Sequence, residues 1–386
     1  MKTRKTMWAA LSLLLVAAFV LSACGTGVVQ TVVVEKEVPV EVVKTEVVEK
    51  VVTEVVTEVV EVEKGAFTTP HPILGDKKVR EAMYYCTDKL ELIKSVYPLL
   101  SPEAQAKLPM WSMIPSTSWA YAGDENLTKH EFDPEKGKAL LEEAGWTLAE
   151  GADFRTNAAG EELALKFTTT TATFRQTWAA VFQQQMANCG INIIRLHAPA
   201  SWWFGDTTGL ARRDFELGAF AWVGTADPDG LGLWECDQIP LPENNWAGQN
   251  DMGWCNEEAT VANKNANNTL VKDERIKWFT ILQQKYAEDV PAIPLFNRSE
   301  TYATRADMQG FDPQAGEPYY TYNAGTWTAP GTDTLVLGLT QEPASLFNLV
   351  ENAFVAQVVS NLIGHGYSWT SLNYDYQPVF LTQMHD

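Results

Sequence analysis

The chain is poor in positive charge. Its 386 residues carry 29 lysines and arginines against 49 aspartates and glutamates, a formal net charge of −20. That balance argues against nucleic acid as a partner. Part of the charge lies in a tract near the N-terminus, so it says little about any small ligand. Histidine is scarce as well: His71, His130, His197, His365 and His385. No two of them have helical metal-binding spacing and none sits near a cysteine pair, so no metal site is expected. Asp227-Pro228-Asp229-Gly230 opens like a calcium loop, but its twelfth position is Gln238 and not glutamate. There is no Gly-x-Ser-x-Gly elbow and no phosphate loop. Nothing calls for a cofactor. Long apolar runs are missing too. The one candidate, Met7 to Val20, falls short of the roughly 20 residues that a membrane span needs.

That short run has a different reading. It follows the basic stretch Met1-Lys2-Thr3-Arg4-Lys5 and ends in Leu21-Ser22-Ala23-Cys24. A basic start with a short apolar core is the pattern of a secretory signal. Small residues before a cysteine resemble a bacterial lipobox, which implies cleavage before Cys24 and lipid on its thiol. Residues 1–23 are thus expected to be a lipoprotein signal peptide and residues 24–65 a stalk. From Val28 to Lys64 the sequence is almost only Val, Glu, Lys and Thr, with no glycine and no aromatic residue. Such a tract cannot close a core of its own. Its four-residue repeat, as in Val51-Val52-Thr53-Glu54, would place valines near one helix face. Valine is a poor helix former, which favours an extended or disordered tether.

About 320 residues remain, enough for one large or two ordinary domains. Tryptophan is abundant at 14 residues. Trp and Tyr line many binding clefts, although a Trp-rich core accounts for most of them. With Cys24 lipidated, four cysteines remain for an oxidising compartment. Cys236 and Cys255 bracket a loop rich in Pro, Asn and Gly. A disulfide there would close about 20 residues and add roughly 3 kcal/mol. Cys86 and Cys189 pair or stay as thiols; four cysteines allow three connectivities.

Apolar periodicity predicts a helix over 77–97, with Val79, Ala82, Met83, Cys86, Leu90 and Ile93 on one face. Asp133-Pro134 starts a second helix, as N-cap and first turn, and Gly145 stops it. A strand over 163–170, a helix over 174–188 closed by Gly190, and a strand over 191–196 form a βαβ unit with parallel strands. A strand over 215–223, a helix over 274–288 and a short strand over 290–296 follow. The class is α/β.

These segments, in order, resemble the family 5 extracellular solute-binding proteins, the peptide- and nickel-type receptors of ABC importers. The resemblance is carried by Val79-Arg80-Glu81-Ala82 to Asp88-Lys89, by Phe132-Asp133-Pro134-Glu135-Lys136 through Ala144-Gly145-Trp146, and by Leu163 to Thr170. It continues in Gln183 to Ile194, Asp214-Phe215 to Trp222, Asp227-Pro228-Asp229, and Asp289-Val290-Pro291-Ala292-Ile293-Pro294-Leu295. It implies a type II periplasmic-binding-protein lobe over 66–320, a mixed sheet with parallel strands flanked by helices. Thr334-Leu335-Val336-Leu337-Gly338-Leu339-Thr340 is similar to the strand that opens the family's first domain, yet here it comes last. The order looks circularly permuted, with 332–386 a truncated piece of that first domain. A tandem pair cut off early in its second copy is the other arrangement.

The resemblance implies capture of a small solute or oligopeptide between two lobes and delivery to ABC permease subunits. Trp202, Trp203, Phe204, Trp222 and Asp227 are the candidate ligand residues. Aromatic rings would pack on variable solute groups, and Asp227 would hold an amine. Trp222 also fits a core role, Asp227 a turn cap, and the Thr168 to Thr171 run a strand end. The protein is expected outside the cytoplasm, in the periplasm or at the extracellular face of the cytoplasmic membrane, held by its lipid. Enclosure provides affinity, so one lobe alone should bind weakly or not at all. The alternatives are a stalked surface protein for adhesion and a secreted hydrolase using paired carboxylates.

Overall fold

The structure, a computed structural model, describes residues 30–34, 56–60, 70–225, 227–314, 317, 319–339, 345–346, 353–364, 368–370 and 376–378. The signal segment and Cys24 lie outside the described residues. The chain divides into two compact units, Met1–Pro70 and His71–Asp386. In the first, strand β1 (Gln30–Val34) pairs antiparallel with β2 (Val56–Val60), Gln30 opposite Val60 and Val34 opposite Val56. The repeat at 56–60 is therefore strand and not helix, as the β-preference of valine dictates.

The second unit opens with two helices where the periodicity predicts one. Helix α1 spans Lys77–Tyr85 and α2 spans Lys89–Val96. Asp88 causes the break, because its carboxylate accepts from the Glu91 backbone N–H at 3.1 Å and caps a new helix. The second helix restarts the phase, so Leu92 is buried in place of the predicted Leu90, which is exposed. Helix α3 (Pro134–Glu143) is built as its sequence dictates. The Asp133 carboxylate accepts from Lys136 N at 3.0 Å, Pro134 fills the first turn, and Gly145 turns the chain at φ +86°.

Strand β3 (Ala164–Thr170), helix α4 (Thr173–Asn188) and strand β4 (Asn192–Ala198) form the expected βαβ unit. β3 and β4 are parallel, Ala164 opposite Asn192 through Thr170 opposite Ala198. β5 is only Leu217–Gly218, parallel to β3 on its other side, so the sheet order is β4-β3-β5. The strand predicted over 215–223 is thus cut to two residues. One face of the sheet packs on α4 through Leu165, Phe167, Ile193, Trp178, Phe182 and Met186, and α1 and α3 join the same core. A disulfide between Cys86 and Cys189, Cα atoms 6.4 Å apart, ties the end of α1 to the end of α4.

A second core forms around helices α5 (Glu257–Asn267) and α6 (Lys272–Asp289), with Trp234, Trp254, Phe279 and Tyr286 at its centre. Cys236 and Cys255 are disulfide-bonded beside it. Arg80 joins the two cores. It donates to the carbonyls of Asp289 (2.8 Å) and Val290 (3.0 Å) at the end of α6, and to Leu74 O and Gly75 O. A cation at a helix C-terminus meets the unpaired carbonyls there.

The segment predicted as a strand over 290–296 is not one. Val290 sits at φ +50°, and Pro291 and Pro294 have no N–H to give to a ladder. What remains is a single antiparallel bridge, Pro109 to Phe296. Residues 334–339 are likewise not strand, and Leu335 and Val336 are exposed. Farther on, α7 (Phe354–Ser360) buries Val355, Ala356 and Val358, and its Val358 carbonyl accepts from Thr321 Oγ1 at 2.7 Å. A short antiparallel pair, β6 (Ser368–Thr370) and β7 (Tyr376–Pro378), closes the described chain. Among the described residues no helix is long and apolar enough to cross a membrane.

Candidate functional site

All three strands of the sheet run parallel, so Thr170, Ala198 and Gly218 bring their carboxyl ends to one edge. Open parallel sheets take ligands in the crevice outside that edge. The backbone there is tied down by the strand ends themselves. Ala219 N donates to Thr168 O at 3.0 Å, and Thr169 Oγ1 donates to Ala219 O at 2.8 Å. Thr168, Thr169 and Thr170 are buried. The Thr169 hydroxyl thus binds the sheet and is not turned to a ligand.

The aromatic candidates divide. Trp203 is wholly buried, edge-on to Phe215 at 5.6 Å and packed under Gly218. It is a floor for the site and not a contact surface. Trp202 lies stacked against it, ring centroids 6.3 Å apart, and is half-buried. The chain turns sharply below them, since Gly209 has φ +47° and a Cβ there would run into the Trp203 carbonyl oxygen. Phe204 is 49% exposed and Trp222 47% exposed. Phe220 stands between them, edge-on to Phe204 at 6.1 Å and to Trp222 at 5.1 Å. Phe204, Phe220 and Trp222 therefore make one continuous aromatic shelf, partly open to solvent, just past the strand ends. Edge-to-face contacts of this kind hold rings in fixed orientations.

Asp227 is placed elsewhere. Its carboxylate is gripped by both terminal nitrogens of Arg275 on α6, at 2.5 and 3.2 Å. A bidentate pair of this kind already uses the charge that a ligand amine would need. Thr225 Oγ1 donates to Asp227 O and shapes the turn.

Sequence reasoning missed Phe220 and Arg175. The signal for Phe220 was its spacing of two from Trp222, which puts both on one side of an extended chain. Arg175 lies in the first turn of α4 with its guanidinium 5.7 Å above the Phe204 ring, and donates to Ala219 O at 3.2 Å. Burial pushes its pKa down to about 10, and Arg298 nearby adds to the effect. Arg298 lies over Phe174 at 5.2 Å. Among the described residues no group of three or more His, Cys, Asp or Glu is placed to hold a metal ion.

Residues 31–236, just over half of the chain, match the model for bacterial extracellular solute-binding proteins, family 5 middle. The chain belongs to this family. Its members are solute-binding proteins found outside the cytoplasm. The oligopeptide-binding protein AppA of Bacillus subtilis (strain 168) is 24% identical over 249 residues, which are 61% of this chain and 41% of that protein. The dipeptide-binding protein of Escherichia coli (strain K12) is 40% identical over 72 residues, 19% of this chain and 12% of that one. Among solved structures, the oligopeptide binding protein from Thermus thermophilus complexed with pentapeptide matches with a TM-score of 0.55 at 25% identity. That match covers 63% of this chain and 41% of the other. The chain thus spans less than half the length of the relatives it matches.

Proposed function

We propose that this chain captures small solutes, peptides foremost, on the shelf formed by Phe204, Phe220 and Trp222, as the receptor component of an ABC importer. The observation that carries the reading is the placement of that shelf. A family whose members bind solutes has here, at the carboxyl edge of its parallel sheet, three contiguous and half-open aromatic rings. Aromatic surfaces accept side chains of varied shape without strict selection. Binding without turnover fits a surface built from aromatic rings, and in this reading the chain acts as a carrier. Delivery is to permease subunits at the membrane, with lipid on Cys24 as the anchor. The shelf is open on one side, so affinity for a free solute is of millimolar order, near −4 kcal/mol.

The test is equilibrium dialysis of the full chain against a mixture of short peptides and oligosaccharides, with mass analysis of both compartments. Intact peptides enriched on the protein side support the reading. Enrichment of nothing, or the appearance of cleaved products, overturns it.

A further inference from the structure

Among the described residues, the sheet of the first unit has two strands and no more, β1 beside β2. Each strand therefore keeps one edge whose backbone N–H and C=O groups have no ladder partner there. An isolated two-stranded sheet is marginally stable in water, and further strands are what ordinarily make it persist. Edges left open to water are usually guarded by a lysine or another charge, a proline or a bulge. β1, Gln30-Thr31-Val32-Val33-Val34, contains no charged residue and no proline, and its register with β2 runs one to one without a bulge. β2, Val56-Thr57-Glu58-Val59-Val60, has Glu58 at its middle, opposite Val32. The two edges are thus unlike. One is unguarded and the other carries a charge.

We propose that β1 pairs antiparallel with β1 of a second copy of this chain, about a two-fold axis at Val32, joining two stalks in a four-stranded sheet ordered β2-β1-β1-β2. The register follows from the strand itself. Centred on Val32, Gln30 falls opposite Val34 and Thr31 opposite Val33 of the second copy, so the new ladder holds mostly β-branched residues and no charge. Whichever alternate residues of β1 turn their backbone groups away from β2, the same axis pairs them, because an antiparallel ladder about a central residue is symmetric. The corresponding pairing of β2 with itself would set Glu58 against Glu58, which like-charge repulsion opposes. Pairing β1 with the β2 of a second copy would leave a free edge at each end and grow without closing. It would also draw Glu58 into the interior of the sheet. The two-fold pairing closes, and it leaves Glu58 on both outer edges, where a charge opposes further addition. The dimer carries two copies of the second unit on one joined stalk.

The test is sedimentation of the full chain at micromolar concentration in a density-matched detergent, which reads the protein mass alone. A mass of about twice 42.9 kDa is expected. Val32→Lys should return it to that of a single chain. Between two copies the substitution sets like charges opposite each other, whereas within one copy it faces Glu58 and keeps the hairpin favoured. Val32→Cys should give a disulfide-linked dimer on mild oxidation, and Gln30→Cys far less, since Gln30 lies opposite Val34 of the second copy and not opposite itself. A single-chain mass for the unaltered protein overturns the proposal and needs no variant. So does a dimer that Val32→Lys leaves intact, or one that Gln30→Cys cross-links as readily as Val32→Cys. An open-ended series of masses for the unaltered chain overturns the closed pairing.

Discussion

Single residues divide the aromatic candidates into floor and surface. Trp203 is buried beneath the strand ends, whereas Trp222 stands half in solvent. Trp203→Ala should cost roughly 3–5 kcal/mol of stability, as large core truncations do, measured by urea unfolding. Trp222→Ala should leave stability nearly unchanged and weaken solute binding. Equal destabilisation by both would contradict the division. Lys89 offers a test by pH. It is buried, donates to Tyr84 Oη at 2.9 Å and to Met110 O at 2.6 Å, and lies 4.1 Å from the Trp111 ring. Burial, with Lys129 adding, pushes its pKa down to about 7, against about 10.4 in the unfolded chain. Between those values the unfolded state holds a proton that the folded state has released, so stability rises with pH through this window and is lowest below it. Lys89→Met should flatten the profile between about pH 7 and about pH 10.4; an unchanged slope would refute this. Trp222 stands out in the sequence because it ends an apolar run before a turn, and the structure leaves it half exposed. Arg175 does not, because its place over the Phe204 ring is a long-range contact.

At the scale of elements, local signals were legible and long-range ones were not. The Asp133-Pro134 start and Gly145 stop of α3 act within one turn, and both are where the sequence places them. The βαβ unit follows from alternating periods in a continuous stretch. The split between α1 and α2 was hidden, because Asp88 caps a helix inside an apolar pattern that runs on through it. The segment after α6 reads as a strand by composition, yet its two prolines and the left-handed Val290 leave it one bridge. The link between α1 and α4 is covalent, with a sequence separation of 103 between Cys86 and Cys189. A loop of that length is strongly restricted in the unfolded chain by the bond. Cys86→Ser with Cys189→Ser should cost about 2–5 kcal/mol, read as a lower denaturation midpoint. A loss under about 1 kcal/mol would mean that the packing of α1 on α3 and of α4 on the sheet suffices alone. Arg80→Ala, which strips the end of α6 of its cation, should cost about 1.5–3 kcal/mol in the same assay.

For the whole molecule, the sheet is covered on one face by α4 while Ile194 and Leu196, on β4, are 45% and 43% exposed. Parallel sheets are ordinarily covered on both faces. The order of segments, with the 332–386 stretch last, and its likeness to the start of the family's first domain remain our reading of the sequence as a permuted receptor. Capture on the shelf is what the proposed role most depends on. The most direct measurement is thermal melting of the full chain, and of its Trp222→Ala variant, with tripeptides at millimolar concentration. A ligand that binds only the folded state raises its stability by mass action, about 0.4 kcal/mol when present at its dissociation constant. Capture on the shelf predicts a small, concentration-dependent rise in midpoint for the unaltered chain and none for the variant. No rise with any peptide, or a rise that Trp222→Ala leaves intact, would contradict it.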